Sequence, residues 1–567
     1  LWSPDSKKIA TFRHDGRNVG EMYLVSTNIG HSKLDAWKYP LPGDEAIFMI
    51  ERLVFHIDNE PRMVKLDMPP DPQRSSTADH IAGRGGKLID VEWSSESDML
   101  AFVSSSRDHK SAILKLANPE TGEVKIIHNE TVATYYESGA INPNWRILHD
   151  RNEFIWFSEQ DNWGHLYLYD LETGKLKRQL TSGEWSILEI QHVDEDTGII
   201  YFTAANRESG DPYFHYLYAL DINFGKPKLL TPEAAHHVID WSSSGKYFVD
   251  SYSTPDIPVT AVIRNTAGEV ILPLETTDIS KLLASGWVAP KSFIVKARDN
   301  ETNLYGLLYQ PSNFNPNQSY PVLNYIYPGP QAGSVGSRSF RSARRDKQAI
   351  AELGFIVVEL DAMGTPGRSK SFHDAYYGNM GDNGLPDQVS AIKQLALERP
   401  WMDLDRVGVW GHSGGGFAST GAILRYPNFY KVAVSSAGNH DNRNYEDDWA
   451  EKWQGLLKTF PANKQSDTEI LPTNYDNQAN QLLVKNLQGK LLLAHGLMDD
   501  NVPPSNTLLV VQALIEAEKD FDLVVLPNAK HGFGNSRYFM KKRWDYFVEH
   551  LKGINPPKDY RFGENIN

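Results

Sequence analysis

Ser413 stands in the run Trp410-Gly411-His412-Ser413-Gly414-Gly415-Gly416-Phe417-Ala418-Ser419. A serine hydroxyl is a weak nucleophile at neutral pH and attacks efficiently only when a neighbouring base takes its proton. The apolar run Arg406-Val407-Gly408-Val409 before it and the helix-like residues 418–424 after it predict a strand, a tight turn and a helix, the setting of a G-x-S-x-G nucleophile elbow. Gly411 and Gly415 flank the turn, where a Cβ would collide with the neighbouring strand or helix. The hydroxyl is then held above a sheet at a helix N-terminus, where N–H groups favour developing negative charge.

A base and an acid follow in the order serine, acid, histidine that an α/β-hydrolase uses. Lys490-Leu491-Leu492-Leu493-Ala494 reads as a short buried strand and runs into His495-Gly496-Leu497-Met498-Asp499-Asp500-Asn501-Val502. A second predicted strand, residues 521–526, runs into Pro527-Asn528-Ala529-Lys530-His531-Gly532-Phe533-Gly534. Both groups therefore sit at the carboxyl ends of predicted strands, the edge where open α/β sheets place their chemistry. His531 would take the Ser413 proton and return it to the leaving group, with an aspartate fixing its tautomer. Asp499 and Asp500 compete for that role; Asp499 is favoured, and Asp500 is expected to face solvent or a loop hydrogen bond. His495 reads as a packed, hydrogen-bonded histidine, and the side chain of His412 is expected to point away from the position a base needs.

These segments, together with Tyr320-Pro321-Val322-Leu323-Asn324-Tyr325-Ile326-Tyr327-Pro328-Gly329-Pro330, resemble the prolyl oligopeptidase family of serine peptidases in its dipeptidyl peptidase IV branch. The resemblance implies a serine-type peptidase. It implies that Tyr327 supplies an oxyanion-hole hydroxyl, with the backbone N–H of Gly414 as second donor, and it places the family's acid on Asp499. The stretch Gly438-Asn439-His440-Asp441-Asn442-Arg443-Asn444-Tyr445-Glu446-Asp447-Asp448-Trp449 resembles the family's S1 pocket. Tyr445 and Trp449 fall on pocket aromatics that would enclose a proline ring, and Asn501 falls on a residue that helps hold the substrate carbonyl. Two departures stand out: the branch usually has tyrosine directly after the nucleophile, where this chain has Gly414, and Asn442 replaces another pocket aromatic. Both bear on proline selectivity and neither on the hydrolytic chemistry.

Before residue 280 the pattern changes to short alternating apolar runs separated by turn residues, the signature of antiparallel strands. A strand phrase recurs with centres at 23, 64, 114, 167, 217 and 262, a period of roughly 40 to 53 residues that suits four-stranded propeller blades. A tryptophan-serine phrase precedes some of them, at Trp2, Trp93 and Trp241. The expected architecture is a β-propeller over residues 1–280, with about six blades present, and an α/β-hydrolase domain over residues 281–567; a β-sandwich is the alternative for the first half. The resembling branch has eight blades, so about two blades are expected upstream. There the branch carries, just before its Trp-Ser-Pro phrase, a glutamate pair that binds a substrate amino terminus. His236 and His237 are expected in a surface turn, and the loop Asp361-Ala362-Met363-Gly364-Thr365-Pro366-Gly367-Arg368 reads as structural support for the elbow.

Composition limits the partners. A net charge of −15 and a pI near 5.7 argue against nucleic acid, whose phosphates need basic surface. Zero cysteines rule out disulfides, a thiol nucleophile and cysteine-ligated metal, and they leave the compartment open; a periplasmic or secreted location is favoured over a cytoplasmic one. No apolar run approaches the 18 residues of a membrane span. No metal-ligand or phosphate-loop spacing appears, so the reading calls for no cofactor and no metal. The expected function is hydrolysis of short peptides, releasing di- or tripeptides from the amino terminus with proline or alanine preferred at the cut. An acylaminoacyl peptidase or esterase with the same triad is the enzymatic alternative, and an inactive propeller-based binding protein is the alternative of another class. Self-association as a homodimer is left open.

Overall fold

A computed structural model describes residues 1–58, 60–73, 90–138, 144–461, 472–558, 560 and 562. The carboxyl-terminal half is built on one eight-stranded sheet. Its strands run across the sheet in the order Lys291–Lys296, Asn303–Tyr309, Ile356–Asp361, Tyr320–Tyr325, Met402–His412, Tyr430–Ser436, Lys490–Gly496 and Asp522–Leu526. The first two pairings are antiparallel, and the remaining five, from Ile356–Asp361 with Tyr320–Tyr325 onward, are parallel. Parallel strands are covered by helices on both faces and so read as unbroken apolar runs. Val322, Leu323, Val407, Val409, Ala433, Val434 and Leu491 to Leu493 are accordingly all buried. Among the polar residues that interrupt them, buried Asn324 donates to Gln388 and accepts from the Tyr430 hydroxyl.

The amino-terminal half forms five four-stranded sheets among the described residues. Four of them, such as Arg146–Leu148, Glu153–Ser158, His165–Asp170 and Leu176–Gln179, are simple antiparallel meanders in chain order. Five of the six repeat phrases lie on the third strand of a sheet. The first phrase does not: Glu21–Val25 pairs with Leu34–Lys38 in a separate two-stranded hairpin, so the repeat contributes five blades here, not six. Alternation alone marks both kinds of strand, because a hairpin with one covered face shows the same period of two as a blade. The last blade strand, Val270–Thr276, is followed by the short helix Ser280–Ala284 and then by the first strand of the large sheet.

His236 and His237 depart from expectation. They open the strand His236–Trp241 and are both buried. His237 Nδ1 lies 2.7 Å from Asp250 Oδ1 and its Nε2 lies 3.0 Å from the Glu233 carbonyl; paired imidazoles are stable inside a sheet. Glu233, His237 and Asp250 converge as metal ligands would. The Arg264 guanidinium already stands among them, 2.9 Å from Asp250 and 2.7 Å from Glu233, and supplies the positive charge.

The halves meet along polar contacts near the carboxyl edge of the large sheet. Buried Arg338 donates to Asp211 of the propeller at 2.9 Å and to Asp361 at 2.8 Å, with its guanidinium 4.3 Å from the Tyr213 ring. Asp361 also accepts from the Val335 N–H, so the loop expected to support the site is anchored on both sides. Arg107 forks onto Glu451 with both bonds at 2.7 Å, and the Phe340 N–H donates to Ser253 Oγ at 2.9 Å.

Candidate active site

Ser413 lies between the strand Met402–His412 and the helix Gly414–Arg425, with φ 61 and ψ −125. A non-glycine residue with positive φ stores backbone strain, which persists where surrounding structure holds it. Here the Ser413 N–H donates to the Ser436 carbonyl at 2.9 Å, and its own carbonyl accepts from Phe417 at 3.0 Å. The glycines around it do what the sequence requires. A Cβ on Gly411 would lie 2.4 Å from the Gly415 carbonyl oxygen and 2.5 Å from that of Ile326, and one on Gly415 would lie 2.3 Å from Ile326 O. Gly414 differs. Its Cβ would meet only the Tyr327 ring, at 3.9 Å, an ordinary contact.

Asp499 follows the strand Lys490–Gly496, and His531 follows the strand Asp522–Leu526. His531 Nδ1 lies 2.7 Å from Asp499 Oδ2. The other carboxylate oxygen accepts the N–H groups of Asn501 and Val502, each at 3.0 Å. Burial raises the Asp499 carboxyl, but hydrogen bonds from His495 and His531 outweigh it and hold the group down at about 2. Asp500 turns outward and pairs with Lys530 at 2.7 Å. His495 is buried, 2.7 Å from Thr507 Oγ1 and 3.0 Å from the Val502 carbonyl. The Ser413 hydroxyl makes no hydrogen bond among the described residues, and His531 is partly exposed.

The remaining candidates gather at the same edge. Tyr327 follows the strand Tyr320–Tyr325, and its ring lies beside Gly414 and Gly415. Tyr445 and Trp449 pack edge to face at 5.4 Å between centroids. The Tyr445 hydroxyl donates to the Asn501 side-chain oxygen at 2.9 Å. Trp449 Nε1 donates to Gln331 Oε1 at 3.3 Å, and Gln331 Nε2 donates to the Tyr327 hydroxyl oxygen at 3.3 Å. Asn442 is turned into the protein and held by Asn439 and Gln478.

Three groups at the site have no sequence signal of their own. His412 Nε2 lies 2.7 Å from the His531 carbonyl, and Nδ1 lies 2.9 Å from Ser436 Oγ. A carbonyl only accepts, so Nε2 carries the proton and Nδ1 receives the serine's. Gln331 joins the Trp449 indole to Tyr327. Tyr39, from the propeller half, reaches Asn501 and Glu446. A spacing pattern finds none of these, because each acts through a contact distant in sequence.

An eight-stranded, mostly parallel sheet with an elbow serine and an imidazole–carboxylate pair at its carboxyl edge defines an α/β-hydrolase, here joined to a propeller. Residues 1–259 match the dipeptidyl peptidase IV N-terminal region, and residues 341–553 match the prolyl oligopeptidase family. The chain belongs to the prolyl oligopeptidase family, in its dipeptidyl peptidase IV branch. Dipeptidyl peptidase 4 of Trichophyton equinum is 27% identical over 468 residues, which cover 81% of this chain and 58% of the fungal protein. The chain therefore spans well under two thirds of that relative's length. A Bacteroides ovatus protein assigned as a dipeptidyl aminopeptidase IV superposes with a TM-score of 0.83 at 26% identity, covering 97% of this chain and 76% of that one. Porphyromonas gingivalis dipeptidyl peptidase 4 gives a TM-score of 0.80 at 22% identity, covering 97% and 74%, a likeness of fold. No helix among the described residues is long and apolar enough to cross a membrane.

Proposed function

We propose that this chain is the catalytic part of a serine peptidase that releases di- or tripeptides from the amino terminus of short peptides, with proline or alanine preferred at the cut. The observation that carries the reading is the buried Asp499 carboxylate 2.7 Å from His531 Nδ1, at the sheet edge that also presents strained Ser413. Ser413 gives its proton to His531 Nε2 and attacks the scissile carbonyl. The tetrahedral oxyanion takes hydrogen bonds from the Tyr327 hydroxyl and the Gly414 N–H, and His531 returns the proton to the leaving amine. Water, activated by the same imidazole, then releases the acyl group from Ser413. Tyr445 and Trp449 offer flat apolar area to a proline ring, which needs area and no directional partner.

Two measurements test this. A fluorophosphonate probe should label wild-type protein and leave Ser413→Ala unlabelled; no adduct on Ser413 supports the inactive binding protein instead. A panel of free dipeptide, tripeptide, acetylated and ester substrates should then show turnover of the free amino-terminal peptides. Turnover confined to acetylated peptides or simple esters assigns an acylaminoacyl peptidase or an esterase.

A further inference from the structure

Tyr39 lies in the propeller half, just after the hairpin strand Leu34–Lys38, yet its ring is buried in one cluster with Phe417, Tyr445, Trp449 and Val502 of the hydrolase half. Its hydroxyl donates to the backbone carbonyl of Asn501 at 2.8 Å and accepts the N–H of Glu446 at 3.1 Å. One phenol thus ties the loop that carries Asp499 to the segment that carries Tyr445. Asn501 is the junction. Its N–H donates to Asp499 Oδ1 at 3.0 Å, its carbonyl is taken by Tyr39, and its side-chain oxygen accepts from Tyr445 at 2.9 Å. Burial, with Tyr445 and Asp499 nearby, pushes the Tyr39 phenol well above its ordinary value, so it stays a donor. The ring alone would satisfy packing, with Trp37 edge-on at 5.9 Å; the hydroxyl is spent on two backbone groups of two different site segments.

We propose that Tyr39 is a positioning residue that the propeller supplies to the hydrolase site. It fixes Asn501 so that one N–H stays on Asp499 and the amide oxygen stays on Tyr445. The role rests on the reading of Ser413, Asp499 and His531 as the reacting set. It makes the geometry of that set depend on a residue 462 positions away from Asn501 in sequence.

The test uses the full chain and the variants Tyr39→Phe, Tyr445→Phe, their double and Trp37→Phe. The readouts are the fluorophosphonate labelling rate of Ser413, kcat and KM for a chromogenic amino-terminal dipeptide substrate, and the thermal midpoint. Losing a buried hydroxyl with two partners should lower labelling and kcat/KM about tenfold in Tyr39→Phe, with the folded protein retained. The double variant should lose less than the product of the single losses, because both hydroxyls act through Asn501. Trp37→Phe disturbs the same cluster while sparing both hydrogen bonds, and should keep wild-type kinetics. Wild-type rates in Tyr39→Phe, multiplicative losses in the double, or an equal kinetic loss in Trp37→Phe would each overturn the proposal. Wild-type protein that labels but turns over no amino-terminal dipeptide substrate sinks the peptidase reading alone, because the labelling series still decides Tyr39.

Discussion

His412 Nε2 donates to the backbone carbonyl of His531 at 2.7 Å, so the residue before Ser413 holds the backbone of the imidazole proposed as its base. Burial, reinforced by the charge of nearby His531, pushes the His412 imidazole down to about 3. It therefore stays neutral, with its proton on Nε2, at neutral and mildly acidic pH. His412→Phe keeps a ring but leaves the His531 carbonyl without this donor, while the Ser436 hydroxyl keeps the Gly411 carbonyl at 3.2 Å. Leaving such a group unpaired costs about 1–3 kcal/mol, so Ser413 labelling should slow by about ten- to a hundredfold. His412→Gln retains an N–H donor and should recover part of the rate. Equal rates in the two variants would show that the ring is needed only as packing.

Asp499 carries a pH signature. Its folded carboxyl sits at about 2 against an ordinary 3.8, so the ionised form is the one the fold stabilises. That contribution is complete above pH ~4 and disappears as pH falls through ~2, the usual direction for a depressed carboxyl. The difference corresponds to about 2 kcal/mol. Denaturant melts of wild type and Asp499→Asn should diverge at neutral pH and converge as pH falls from ~4 to ~2. The same substitution should lower kcat by about ten-thousandfold, by analogy with an aspartate that sets the imidazole tautomer. A constant stability gap across that pH window would contradict the pairing.

The elbow was legible because its information is local: glycines, serine and flanking strand and helix patterns lie within one short run. Asp499 and His531 were legible because their strands end just before them, and chain order then assigns roles. Tyr327, Tyr445 and Trp449 came only through resemblance, since an aromatic at a strand end looks the same whether or not it lines a cleft. The hairpin at Glu21–Val25 reads as a blade because a period of two says nothing about the partner strand. His236 and His237 read as a surface turn because two adjacent imidazoles look polar. Asp250, which makes one of them a core residue, lies 13 positions further on. Tyr39 and His412 act through backbone carbonyls, and a carbonyl leaves no trace in residue type.

Gly411 and Gly414 separate backbone necessity from pocket shape. Gly411→Ala drives a Cβ against two backbone carbonyl oxygens that have nowhere to move, and overpacking of this kind costs about 1–3 kcal/mol. Gly414→Ala meets only the Tyr327 ring at 3.9 Å and, at the start of a helix, should change stability by less than about 1 kcal/mol. Denaturant midpoints should therefore fall for Gly411→Ala and hold for Gly414→Ala. Gly414→Tyr fills the space beside Ser413, so it should reduce turnover of substrates bulky at the cut more than of alanine substrates. An unchanged ratio would place the pocket wall elsewhere.

Tyr327 is oriented by a relay whose polarity is fixed at its far end. An indole N–H can only donate, so Trp449 fixes Gln331 Oε1 as the acceptor, and Gln331 Nε2 must face the Tyr327 oxygen. The phenol thus receives a hydrogen bond on its oxygen, which leaves its proton directed at another acceptor, as an oxyanion donor requires. Tyr327→Phe should lower kcat by about a hundred- to a thousandfold with little change in KM, the effect of losing one oxyanion donor. Gln331→Ala should cost less, about tenfold, because it loosens the phenol without removing it. Gln331→Glu is the discriminating variant. Its carboxylate cannot donate to Tyr327 and would instead accept the phenol proton, drawing it away from the developing oxyanion. Its kcat should fall below that of Gln331→Ala, and a Gln331→Glu enzyme as fast as the alanine variant would mean that the Tyr327 proton is not used in the transition state.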